Sequence, residues 1–262
     1  MPMNTYVVSG AASGIGAATA ARLSSDGHRV IGVDLRHAEV QADLSTPSGR
    51  SDAVRRVRDL APDGIHGVVP CAGLAGLTGV DPGMLVSVNY FGATALVEGL
   101  RDELARSGTA SVVLLASNSI TCQPGWDTDV AEACLAGDEN RARALAAKTE
   151  AVHVYPASKM ALAQWARREG VKTEWAGRGI RVNAIAPGLI ATPMTDRLRT
   201  DPVFGPFADS YPTALGRPGR PEEVAALITF LLSPDASLLV GSVLFVDGGT
   251  DAILHPQSPQ GG

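Results

Sequence analysis

The chain is 262 residues long, 45% hydrophobic and 19% charged, with a formal charge of −5 at neutral pH. That size suits one α/β domain with a large core, and a mild acidic balance without any run of Lys or Arg argues against a nucleic-acid or anionic-membrane partner. Apolar runs such as 111–117 are too short to span a bilayer, and 1–10 has neither the basic nor the long apolar part of a secretory signal, so a soluble cytoplasmic protein is expected.

In chain order, "TYVVS" (5–9) reads as a buried strand. It leads into "GAASGIGAATAARL", where Gly10, Gly14 and Gly16 precede a helix over 14–26. Glycines at a strand-to-helix turn let the backbone bend tightly and approach a pyrophosphate, whose charge the unpaired N–H groups of a helix N-terminus favour. A purely structural turn is the competing reading, and the next strand weighs against it. "RVIGVD" (29–34) ends in Asp34, eighteen positions after Gly16, near the offset of the carboxylate that bonds an adenosine ribose and repels a 2′-phosphate. Arg36 is the residue that would accommodate that phosphate. A carboxylate at the ribose outweighs a flexible guanidinium two residues on, so NAD is the expected cofactor.

Beyond it come a helix over 47–60, a strand over 64–69, a helix over 84–106, a strand over 110–117, a helix over 156–176, a strand over 180–186, a helix over 221–232 and a strand over 242–247. Nearly continuous apolar strands alternating with helices point to an α/β doubly wound parallel sheet with helices on both faces. Two segments break the rhythm. The first, 118–152, ends in charged, helix-prone residues, and the second, 187–220, is rich in Pro, Thr and bulky apolar side chains. The tail 255–262 has a disordered composition, which leaves one domain over 1–254. Cys71, Cys122 and Cys134 have no C-x-x-C spacing and the five histidines are scattered, so neither a disulfide framework nor a metal site is expected.

"YPASK" sets Tyr155 and Lys159 four positions apart around Pro156 at what reads as the start of a helix. Alone, the pair reads as same-face neighbours in a first helical turn, where Pro is tolerated, ahead of the competing reading as a proton-transfer pair, which needs the rest of the chain to support it.

With the glycine-rich turn, "YPASK", a serine past a middle strand and "VDGG" near the end, the sequence resembles the short-chain dehydrogenase/reductase family over nearly its whole length. The resemblance implies a Rossmann-type single domain and a catalytic set of Asn89 in "VSVNYFGAT", Ser117 in "LLASNS", Tyr155 and Lys159. For the cofactor it implies Gly10, Ser13, Gly14, Ile15 and Gly16 in the turn, Asp34 and Leu35 at the ribose, Asp43 and Leu44 beside the adenine, and Cys71, Ala72 and Gly73 after a middle strand. Tyr155 and Lys159 also contact it, with Pro187, Gly188, Ile190 and Thr192 of "IAPGLIATPM" at the nicotinamide. "CAG", "VSVNYFGAT" and the long gap before Tyr155 are most similar to the bacterial 3-alpha-hydroxysteroid dehydrogenase/carbonyl reductase branch. Three departures stand out. Cys71 replaces the family's usual Asn, Ser9 replaces its Thr, and 38 positions separate Ser117 from Tyr155, which leaves Ser119 as a competing serine.

In this context the proton-transfer reading prevails. Bringing a phenol of pKa about 10 to neutrality takes about 4 kcal/mol, and an ammonium about 4 Å away supplies about that much at an effective dielectric near 20. Tyr155 is then the acid/base, Ser117 holds the developing oxyanion and Lys159 tunes Tyr155; the resemblance further implies that Lys159 holds the nicotinamide ribose and that Asn89 positions a water leading protons to solvent. Met194, Leu198, Phe204, Phe207 and Tyr211 form either a substrate lid or ordinary core. The expected reaction is hydride transfer between NAD and a secondary alcohol or ketone, cyclic and apolar or steroid-like. The alternatives are a reductase of smaller ketones and a non-catalytic NAD sensor or scaffold. The insertion 118–152 is expected to lie over its own subunit and obstruct the family's common helical interface, giving a homodimer through the surface near 221–232 and 242–247.

Overall fold

The computed structural model describes residues 3–123 and 125–257; most of the tail expected to be disordered, 258–262, lies outside them. The strands are β1 (Thr5–Ser9), β2 (Arg29–Asp34), β3 (Val40–Gln41), β4 (Gly67–Pro70), β5 (Ala110–Leu115), β6 (Ile180–Pro187) and β7 (Val243–Val246), paired in the order β3-β2-β1-β4-β5-β6-β7. Every pairing is parallel. The strand order reverses between β1 and β4, and ligands of open parallel sheets bind outside the carboxyl ends at such a point.

Successive strand residues enter opposite cores. Val7, Val68, Val112 and Leu114 face one cluster, and Val8, Val69, Val113 and Leu115 the other. The second cluster is covered by α1 (Gly14–Ser25) and α11 (Pro221–Leu232), which supply Leu23, Val224, Ile228 and Leu231. The first is covered by α2 (Pro47–Leu60), by the helical run carrying Asn89, and by α9 (Ala151–Glu169). Burial on both faces explains why these strands lack polar alternation.

The expected helix over 84–106 is broken. Asp81 caps α3 (Pro82–Val86) through Gly83 N, a π turn follows over Ser87–Gly92, and α4 (Ala93–Gly99) and α5 (Arg101–Arg106) are separated at Leu100. A second difference concerns the Tyr155 helix, which starts at Ala151 and ends at Glu169 instead of running over 156–176. Pro156 therefore sits inside it, where its missing N–H frees the carbonyl four residues back. That carbonyl, Val152 O, accepts from Gln123 Nε2 at 2.6 Å, so the proline is tolerated because another segment supplies the donor.

Within 118–152 the chain forms α6 (Ser119–Cys122), α7 (Thr128–Leu135) and α8 (Glu139–Ala146). Val130, Ala131, Cys134, Ala142 and Ala146 are buried with the main core, and α7 and α8 pack on α9 and α3. A polar clasp holds the segment down. Arg50 Nη2 donates to both Glu139 oxygens at 2.7 and 2.8 Å, Ser87 Oγ donates to Glu139 Oε1 at 2.7 Å, and Arg143 Nη1 donates to Ser87 Oγ at 2.6 Å. The remaining elements are α10 (Pro193–Arg199) and α12 (Thr250–Leu254).

Removing one partner of a buried ion pair leaves the other charge desolvated and costs about 3 kcal/mol or more. Glu139→Ala is expected to lower the Tm by about 6 °C or more for a chain of this size. Arg50→Met/Glu139→Leu, which removes both charges, should recover most of that loss in the same melt.

Candidate active site

The carboxyl ends of β1 and β4, the start of α1, the end of β5 and the first turns of α9 converge on one crevice. At its floor the glycines are forced. Gly10 has φ +66°, and a Cβ there would lie 2.7 Å from Ala72 N; a Cβ on Gly16 would lie 2.1 Å from Gly10 O. Helix α1 can approach β1 this closely only without those side chains. Ser13 precedes α1 without a side-chain cap bond, and the first turn carries no acidic residue, so its N–H groups face the crevice free for an anion. Asp34 stands at the end of β2, its Oδ2 accepting from Ala12 N at 3.0 Å and its Oδ1 from Leu35 N at 2.7 Å. Arg36 is exposed. These features fit the diphosphate and ribose of a nicotinamide dinucleotide.

Further along, Cys71 and Gly73 line the same cavity as Ile15, Pro187, Gly188, Ile190 and Thr192. Ser9, which replaces the family's Thr, keeps a hydroxyl in use: Ala72 N donates to Ser9 Oγ at 3.1 Å and ties the loop after β4 to the end of β1. Burial pushes the Cys71 thiol up to about 12, against the opposing Lys159 charge, so it stays neutral. Two expected adenine-side residues are engaged locally: Asp43 Oδ1 accepts from Ser45 N at 2.9 Å, and Leu44 is buried against the Asn89 run, where a Cβ on Gly92 would lie 3.2 Å from its own.

Ser117, Tyr155 and Lys159 line one end of that cavity. Ser117, just past β5, accepts from Ser119 N at 3.2 Å, and its hydroxyl lies close enough to the Tyr155 phenol to act on its pKa. Ser119 offers no such contact; its own hydroxyl oxygen is buried without a partner among the described residues. Lys159 is 6% exposed, donates to Leu115 O at 2.8 Å, and places Nζ 5.8 Å from the centroid of the Tyr155 ring.

The electrostatics differ from the sequence expectation. Burial raises the Tyr155 phenol above its ordinary value, Tyr211 reinforces the rise, and only the Ser117 hydroxyl opposes it. The Lys159 ammonium is turned to Leu115 O and is itself desolvated, with a pKa lowered to about 8.

Asn89 is fully buried in the π turn and lies outside the cavity lining. Its Oδ1 accepts from Leu74 N at 2.7 Å, and its Nδ2 donates to Leu74 O at 3.0 Å and Ser158 Oγ at 3.4 Å. It thereby clamps the loop after β4.

The rest of the cavity, about 410 Å³ in all, is mostly apolar, with Asn118, Ser119, Gln123, Thr192 and Thr195 as its other polar lining residues. Met194, Leu198, Phe204, Phe207 and Tyr211 all line it, and none belongs to either core cluster. Leu77 and Val152, which carry no signal in the sequence beyond their apolarity, form the opposite wall. Among the described residues no group of His, Cys, Asp or Glu could hold a metal ion, and no helix is long and apolar enough to cross a membrane.

Comparison with known proteins agrees with this geometry. Residues 6–185 match the family model of NAD dependent epimerases/dehydratases, and residues 142–251 match that of enoyl-(acyl carrier protein) reductases. The chain is 38% identical, over 97% of its length and 99% of the relative's, to a 3-alpha-hydroxysteroid dehydrogenase/carbonyl reductase of Comamonas testosteroni. It superposes on the NADH complex of a 3-alpha-hydroxysteroid dehydrogenase from Pseudomonas sp. B-0831 with a TM-score of 0.93 and 43% identity, covering 97% of this chain and all of that one. A putative NAD(P) dependent gluconate 5-dehydrogenase from Beutenbergia cavernae with bound NADP is more distant, at TM-score 0.73 and 28% identity, covering 94% and 96% of the two chains. The chain belongs to the short-chain dehydrogenase/reductase family. It is accordingly a nicotinamide-dependent oxidoreductase acting on CH–OH groups and their carbonyl products.

Lys159 binds its proton less tightly in the folded chain, at about 8, than at its ordinary 10.5. Between those values the unfolded chain holds more protons, so this site's contribution to stability rises with pH through that window. Urea unfolding of wild type should therefore gain about 3 kcal/mol relative to Lys159→Met between pH 7 and pH 10.5, and parallel pH profiles would contradict the desolvated ammonium.

Proposed function

We propose that the protein is an NAD(H)-dependent dehydrogenase/reductase of cyclic, apolar secondary alcohols and ketones, steroid-like in character. The observation that carries this reading is the make-up of the cavity: Ser117, Tyr155 and Lys159 line it together, and most of the remaining lining, Leu77, Val152, Met194, Leu198, Phe204 and Phe207 among it, is apolar. A carbonyl oriented to those three polar groups buries its hydrocarbon body against the lid.

A bound nicotinamide supplies or accepts the hydride. Tyr155 donates its phenolic proton to the ketone oxygen, or takes the proton of the alcohol. The neutral phenol favoured by burial is the form suited to donation. Ser117 hydrogen-bonds the same oxygen as charge develops on it. Lys159 returns positive charge to the Tyr155 side of the cavity and holds the ribose, while Asn89 keeps the 73–77 loop in place and positions the water that relays protons. NAD is preferred over NADP because Asp34 occupies the ribose position, whereas Arg36 is exposed and makes no ion pair among the described residues. The similar NADH complex supports the same choice.

We also read the protein as a cytoplasmic homodimer. Helices α7 and α8 cover the outer faces of α3 and α9, which removes that surface from association. On the other side β7 is a half-buried apolar edge strand, and Phe230 and Leu238 stand exposed nearby.

Tyr155→Phe is expected to lower turnover of cyclic ketones by about 100-fold or more while NADH binding, followed by fluorescence, changes little. In the same assay Asp34→Ala should narrow the preference for NADH over NADPH. Activity of Tyr155→Phe within severalfold of wild type, or a wild type that prefers NADPH, would overturn the corresponding assignment. Light scattering is expected to give two chains, with crosslinks through α11 and β7; a tetramer or crosslinks between two α9 helices would contradict the dimer.

A further inference from the structure

The lid is tied to the rest of the molecule by one carboxylate. Asp201 follows α10, lies outside the cavity lining and is 8% exposed. Its Oδ2 accepts from Thr78 N at 2.8 Å. Its Oδ1 accepts from Thr78 Oγ1, Val203 N and Phe204 N, each at 2.9 Å. Four donors, none of them cationic, saturate a buried charge. Burial works against that charge, but the N–H groups of Phe204, Val203 and Thr78 outweigh it and hold the carboxyl at about 2, so the carboxylate stays ionised throughout the working pH range.

Thr78 belongs to the loop that forms the opposite wall. Leu77, beside it, lines the cavity, and Leu74 is held by the Asn89 amide. On the lid side, Leu198, Phe204 and Phe207 line the same cavity, and Gly205 N donates to Asp201 O at 2.9 Å. The Asp201–Thr78 contact thus joins the two apolar walls across 123 residues of chain.

We propose that the Asp201–Thr78 latch fixes the spacing of these walls and makes bulky ring substrates, whose bodies reach the lid, the ones the enzyme binds well. The substrate class rests on the function proposed above, whereas the latch itself stands on the hydrogen bonds. Apolar binding to a preformed wall avoids the ordering cost that a loose lid adds. A small ketone held at the Ser117–Tyr155 end meets Tyr211 but not the Leu198, Phe204 and Phe207 part of the lid that Asp201 anchors, and gains nothing from the latch. Asp201 and Thr78 are positioning residues in this scheme.

Asp201→Asn and Thr78→Val test it with a fused-ring ketone, 2-decalone, and a small one, cyclopentanone. Wild-type oxidation of NADH with 2-decalone tests the function alone. Calorimetric affinities of both ketones in the presence of NAD, a pairing that cannot turn over, test the latch. Asp201→Asn is expected to lose about tenfold in affinity for 2-decalone and less than twofold for cyclopentanone, with Thr78→Val losing less in the same direction. Hydrogen exchange at Thr78, Val203 and Phe204 should quicken in Asp201→Asn while that of the β5 amides does not. Equal losses for both ketones, no loss in either variant, or unchanged exchange would overturn the latch. A wild type that binds 2-decalone without turning it over would sink only the function, and one that binds neither ketone would sink both.

Discussion

The Lys159 ammonium runs inward to Leu115 O at 2.8 Å, and much of the surrounding structure is arranged around that contact. An ammonium in this position is costly, since burial alone carries its pKa down to about 8. The bond ties the first turns of α9 to the end of β5. Because residues four apart share a helix face, it also sets Tyr155 beside Ser117. The neighbouring backbone has to be slim. A Cβ on Gly73 would lie 3.2 Å from Asn89 Oδ1 and 3.7 Å from Lys159 Nζ, so the loop after β4 passes close to both polar groups and a side chain there would crowd the Asn89 amide.

A second constraint acts at the other end of the crevice. Gly16 lets α1 rest on the Gly10 carbonyl, which aims the helix N-terminus at the reversal of strand order between β1 and β4. The buried lysine stands on the β4–β5 side of that reversal and the diphosphate site on the β1 side. An extended dinucleotide is thus the shape that reaches both. Asp34, bonded to the Ala12 amide, stiffens the glycine-rich turn from the β2 side while presenting a carboxylate at the crevice rim.

Most of the sheet was legible because strands buried on both faces write themselves as apolar runs. Two-residue β3 was not, since Val40–Gln41 has no pattern to read. The start of α9 was misplaced because Pro156 looks like a first-turn residue, and nothing local reveals that Gln123 Nε2 satisfies the freed Val152 carbonyl. The π turn was hidden for a similar reason: its sequence is compatible with an ordinary helix, and the bonds from Asn89 to Leu74 and from Ser87 to Glu139 are long-range. At the site, residue types and spacing identified Tyr155 and Lys159 as a pair. They did not show that the lysine would be drawn to a backbone carbonyl and leave burial to govern the phenol.

The segment 118–152 shows how a peripheral stretch of chain acts on this arrangement. Glu139 accepts from Ser87 at the first residue of the π turn, and Arg50, which holds Glu139, also donates to Thr46 O near the start of α2. Two residues beyond Ser87, Asn89 holds both polar groups of Leu74. Asn89 in turn fixes the 73–77 loop, one wall of the cavity. By bonding Ser87 from outside, the segment 118–152 holds the start of the π turn that carries Asn89. The segment that covers the face of α9 therefore also braces the substrate cavity from behind.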